Sequence, residues 1–68
     1  MFEQAENMRE GDIFLIAWNK CVVEQIYTSD GETRMTFSFL KNPDNIGTIY
    51  CRPDTNFRVR LNRHSTTT

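Results

Sequence analysis

Apolar residues run unbroken from Ile13 to Trp18, and after that run they mostly alternate with polar ones. Six apolar positions fall far short of the ~20 needed to span a bilayer. No polar face at 3.6-residue spacing accompanies them, so the run predicts a strand covered on both sides rather than a helix. Gly11-Asp12 punctuates its start and Asn19-Lys20 its end, which makes Trp18 a partly buried residue at the strand's close.

The alternation beyond Lys20 predicts four more strands. Residues 21–28 form the second, with a break in pattern at Glu24-Gln25 that predicts a bulge or sharp bend. Asp30-Gly31, between two strand-like runs, marks a tight hairpin. Residues 33–40 place Met35, Phe37 and Phe39 on one face and Arg34, Thr36 and Ser38 on the other. A polar loop with a proline follows over 41–45. The fourth strand, 47–51, turns Ile49 and Cys51 inward and Thr48 and Tyr50 outward, with Arg52 continuing the outward set. Residues 53–56 read as a turn, with the geometry of a single 3₁₀ turn. The last strand, 57–63, turns Phe57, Val59 and Leu61 in and Arg58, Arg60 and Asn62 out. Ahead of all this, Phe2, Ala5 and Met8 are spaced by three and predict a short helical turn, laying Phe2 and Met8 over the outer side of the first strand.

Five short strands, a tight hairpin and one turn before the last strand predict a mainly β, antiparallel, five-stranded barrel. Its core spans residues 11–63 and residues 64–68 form a flexible tail. That pattern resembles the SH3-like small β-barrel. Within that group, Gly11, Asp12, Phe14, Ile16 and Trp18 resemble the opening of Tudor-type domains. The resemblance covers residues 11–61 and implies a reader of methylated lysine or arginine, held among aromatic walls by cation–π attraction. Carried over by position, Trp18 matches one wall and Phe39 another, while the aromatic after the first turn falls at Val22 or Val23.

At 68 residues the chain has room for one domain with a small core. Its net charge of −1 does not suit a protein that coats nucleic acid by charge alone. The distribution is more telling than the sum. Residues 1–33 hold seven acids against Arg9 and Lys20, a net of −5, and residues 34–68 hold six basic residues against Asp44 and Asp54, a net of +4. Cys21 and Cys51 belong to no CxxC and no secretory signal opens the chain, so a reduced, core-filling pair and a cytoplasmic location are expected.

Candidate chemistry is sparse. The lone histidine, His64, lies near the end, and no partner for acid–base work or zinc accompanies it. The three glycines are scattered rather than gathered into a phosphate loop, and Cys21 has only Lys20 beside it as an activator. No enzyme activity, cofactor, metal or membrane contact is therefore expected. Recognition remains. With the last three strands as neighbours, Arg34, Tyr50, Arg52, Arg58 and Arg60 share one face, where guanidinium forks suit phosphates or carboxylates and tyrosine suits stacking. The sequence thus predicts a non-catalytic protein-interaction module, a small regulator or inhibitor docking on a larger protein. Nucleic acid is the alternative partner, and self-association as a homodimer is compatible with so small a core.

Overall fold

A computed structural model describes residues 1–61 as one antiparallel sheet with a single 3₁₀ turn. Its elements are β1 (Phe2–Gln4), the 3₁₀ turn Ala5–Asn7, β2 (Ile13–Ile16), β3 (Asn19–Ser29), β4 (Glu32–Phe39), β5 (Asn42–Cys51) and β6 (Asn56–Leu61). The sheet order is β1-β6-β2-β3-β4-β5. Among the described residues six strands are present where five were predicted, and no pairing between β1 and β5 closes the sheet into a barrel. The inward side chain expected of Leu61 and everything expected of residues 62–68, His64 and the tail included, lie outside the described part of the structure. Among the described residues, no helix is long and apolar enough to cross a membrane.

The inward alternation holds along β4. Thr33, Met35 and Phe37 are buried and Phe39 is half-buried, opposite inward residues of β3 and β5. Phe14 of β2 is the hub of the core. It meets Phe37 and Phe57 edge to face, with ring centroids 5.6 Å apart in both pairs, and Phe37 meets Phe39 in the same way at 5.7 Å. Adjacent strands lie ~4.8 Å apart, so the rings of Phe14 on β2 and Phe37 on β4, two places apart, meet by reaching toward each other across β3. Gly47 answers the same crowding. It pairs with Phe37, and a Cβ added there would sit 2.7 Å from the tip of that ring.

The bulge predicted at Glu24-Gln25 is present. Val23 pairs with Phe37 and Gln25 with Thr36, which leaves Glu24 unpaired. The bulge aims the Glu24 carboxylate at β4, where Ser38 Oγ donates to Oε2 at 2.6 Å. Ser38 does belong to the outer face, yet it is buried there.

Three local expectations change. The N-terminal segment forms β1, paired with β6, and then one 3₁₀ turn. Met8 enters the inner core cluster rather than covering the outer side of β2, and Phe2 stays exposed. A helix of so few residues has no cooperative gain to set against strand pairing. The polar loop at 41–45 is instead a two-residue turn, Leu40-Lys41, followed by the irregular start of β5, where Asn42 pairs with Phe39 and Ile46 with Ser38. Pro43 is tolerated there because β5 is an edge strand. The third change concerns the end of β2. Ile16 pairs with Asn19, so the reversal falls on Ala17-Trp18, two residues earlier than expected.

The opening Gly-Asp has a structural explanation. Gly11 has φ 92°, a left-handed conformation glycine adopts freely. Asp12, buried, accepts the Arg9 backbone N–H on Oδ2 at 2.9 Å, and its own carbonyl accepts from Val23 N at 2.9 Å. The pair therefore closes a turn and starts the β2–β3 ladder at once.

Candidate functional site

The predicted arginine face rests on a neighbour relation that the sheet order replaces. β6 returns beside β2, so β2, β3 and β4 separate it from β5. Arg34 and Tyr50 are direct cross-strand partners on β4 and β5. Arg52 follows β5 and pairs with Asp54 at 3.4 Å, both side chains well exposed. Arg58 and Arg60 are exposed on β6. The Arg58 guanidinium lies 5.3 Å from the Trp18 ring centroid and 5.8 Å from that of Phe2, a cation within reach of two aromatic faces.

Two surface depressions gather the remaining candidates at opposite ends of the β3–β4 ladder. The first is an open groove of about 570 Å³ between the β2–β3 and β4–β5 turns. Trp18, Phe39 and Leu40 give it apolar walls, Lys20 and Lys41 give it charge, and three asparagine side chains complete its lining with no carboxylate among them. The backbone bond from Leu40 N to Lys20 O, 2.9 Å, ties the two turns together. Trp18 is 77% exposed, against the partly buried strand end the pattern implied. Its backbone is strained: Ala17 has φ 47° and Trp18 φ 70°, left-handed values that cost a residue with a Cβ ~1–2 kcal/mol each. Strain of this kind persists only where the surrounding structure enforces it, and it concentrates at functional positions.

The second depression, about 470 Å³, lies beside the β3–β4 hairpin tip. Tyr27, Arg34 and Tyr50 stand side by side across three strands, with Tyr27 and Tyr50 62% and 63% exposed. Asp30 and Glu32 complete its rim.

Trp18 and Phe39, named from sequence, line one depression, and Arg34 and Tyr50 line the other. Lys20, Leu40, Lys41 and Tyr27 were missed. The signal for them was the Asp30-Gly31 pivot: counting back along the hairpin from Ser29↔Glu32, with one residue lost to the bulge, brings Cys21 opposite Phe39 and so Lys20 beside Leu40.

The cysteines are both free, Cys21 buried and Cys51 half-buried. Burial pushes both thiols above the ordinary value of 9.0; a backbone hydrogen bond at Ile16 partly offsets this for Cys21, and a hydrogen bond from the Thr55 side chain does so for Cys51. Neither is therefore set up as a thiolate nucleophile. Among the described residues, no three His, Cys, Asp or Glu side chains are grouped so as to hold a metal ion.

Compared with models of known families the chain matches none, and no curated protein matches it.

Proposed function

We propose that this protein is a non-catalytic interaction module of the SH3-like kind, a small regulator or inhibitor that docks on a larger protein through the Trp18 groove. Support for the SH3-like reading comes from strand order: β2 to β5 form a meander, and β6 returns beside β2, as a small barrel requires. The observation that carries the docking reading is the exposed Trp18, held in left-handed backbone at the rim of an apolar, lysine-flanked groove. Tryptophan in such a setting supplies large contact area at little entropic cost and is enriched where binding energy concentrates. Tagged protein and its Trp18→Ala variant, used side by side to capture partners at moderate salt, test this. A protein retained by the parent and lost with the variant is expected; identical recoveries overturn the assignment of the groove.

The Tyr27–Arg34–Tyr50 row favours a second reading, single-stranded nucleic acid stacked on its rings. Asp30 and Glu32 in the same cleft oppose it by repelling phosphates. A gel shift at low salt, with Arg34→Ala as control, decides: no retardation of DNA or RNA removes this reading. A Tudor-like methyl reader is supported by Trp18 and Phe39 lining one groove, but Lys20 and Lys41 there favour an anionic guest over a cationic one.

A further inference from the structure

We infer that the Trp18 groove receives the β3–β4 hairpin tip of a second copy of this chain, so that molecules associate head to tail. The inference rests on the reading of the groove as a contact surface and adds the identity of one occupant.

Charge complementarity between two ends of the same molecule is the basis. The groove carries Lys20 and Lys41 and no lining carboxylate. Asp44 stands in the neighbouring irregular part of β5, exposed and outside the lining. Among the described residues neither Lys20 nor Lys41 is held in an ion pair, and the pair of Arg52 with Asp54 lies outside the groove. At the far end of the same ladder, the tip presents Asp30 and Glu32, with Arg34 the one cation in that cleft. β3 separates the ends. Its 11 residues, at ~3.3 Å each, span a distance comparable to the longest dimension of the molecule, 32 Å. The poles therefore cannot satisfy each other within one chain.

Shape agrees with charge. The tip is a two-residue turn whose apex is Gly31, with open space where a side chain would project. A tip of three residues, Asp30 to Glu32, is of the size that grooves of a few hundred Å³ accept. Tyr27 and Tyr50 flank the tip, and Trp18, Phe39 and Leu40 wall the groove. Once the carboxylates reach the lysines, exposed aromatics from both sides come into the same contact. The contact uses two different patches, so it is heterologous and extends into chains or rings rather than stopping at a two-fold dimer. Few charges per pole make it weak and sensitive to salt.

Neutral variants test this cleanly, because a charge reversal would create a new complementary pair. Sedimentation velocity of the full chain from ~10 µM to ~1 mM, the range in which weak contacts titrate, is expected to show a rising average mass that falls when salt is added. Lys20→Gln with Lys41→Gln removes the receiving end. Asp30→Asn with Glu32→Gln removes the entering end, and asparagine at position 30 tolerates the left-handed backbone there, φ 53°. All four side chains are exposed, so both variants keep the fold, which circular dichroism checks. Each variant alone is expected to be monomeric. Mixed in equal amounts they form a capped pair of two chains and nothing larger, since only one intact groove and one intact tip can meet. A parent chain that stays monomeric to the highest concentration, variants that associate as the parent does, or a mixture that never pairs overturns the inference. If the parent stays monomeric while a captured protein is still lost with Trp18→Ala, head-to-tail association fails and the docking reading stands.

Discussion

β3 begins and ends at two-residue turns that share a geometry and differ in chemistry. At its end, Asp30 and Gly31 have φ values of 53° and 76°; at its start, Ala17 and Trp18 have 47° and 70°. Both connect strands whose right-handed twist favours φ > 0 at the two central positions. Aspartate and glycine adopt that conformation at little cost, whereas alanine and tryptophan do not. One turn therefore helps form the hairpin it closes. The other is imposed by the ladder on each side, Ile13↔Val22 through Ile16↔Asn19, and by Phe14 seated in the core. What the chain gains at the strained turn is position: the tryptophan ring projects to the rim of the groove and rests against Arg58.

The largest effect should come from removing that difference. Ala17→Asn with Trp18→Gly gives the β2–β3 turn the residues its geometry favours. Stability is expected to rise by about 2 kcal/mol, the left-handed cost of two residues less the lost cation–π contact of ~0.5–1 kcal/mol. Capture of a partner should be lost at the same time. Urea unfolding reads the first outcome and the capture assay the second. A stability gain with binding retained would mean that the strain is unrelated to recognition; no gain would mean that the turn relaxes without cost.

The contrast also explains what could be read from the chain. Asp30-Gly31 was legible because the local residues and the structure ask for the same turn. Ala17-Trp18 was hidden because the apolar run continues through it, and periodicity alone places the reversal at the first polar residues, Asn19-Lys20. Alternation identified the inward side of β4, since burial of one face leaves a two-residue period. It carried nothing about which strands pair at long range. The place of β6 beside β2, and of β1 beyond it, is a long-range pairing that no local pattern encodes, so the arginines expected on one face are divided among three places. Trp18 and Phe39 came together because their proximity follows from a local hairpin and one bulge.

Gly31→Ala sharpens the comparison from the other side, with a smaller effect. Nothing lies within 4 Å of the added Cβ, so the cost is that of the backbone alone, a loss of about 1 kcal/mol. Gly47→Ala is the control with a different cause. There the added methyl meets the Phe37 ring, which Phe14 and Phe39 prevent from swinging aside, so a loss of about 1–3 kcal/mol arises from packing. Thermal unfolding of both separates the two mechanisms. If Gly31→Ala proved neutral, the conformational argument for the strained turn would fail with it.

The smallest expected effect distinguishes the two ends of β3 by pH. Cys21 lies near the strained turn, its Sγ 3.7 Å from the Asn19 carbonyl, while Cys51 lies near the hairpin tip, with Glu32 raising its thiol further. Both thiols titrate above their ordinary value of 9.0 because burial penalises the thiolate. A raised thiol favours the protonated form in the folded state. Its contribution is therefore complete below the unfolded-state value and is lost as pH rises through the folded-state one. Stability should be flat with respect to these groups at neutral pH and decline above about 9. Cys21→Ala should flatten part of that decline and Cys51→Ala the remainder. Denaturant midpoints measured at neutral and alkaline pH check the assignment. A decline that persists unchanged in both variants would place its origin outside the two thiols. In that case the burial of Cys21 against the strained turn would have no part in the alkaline response.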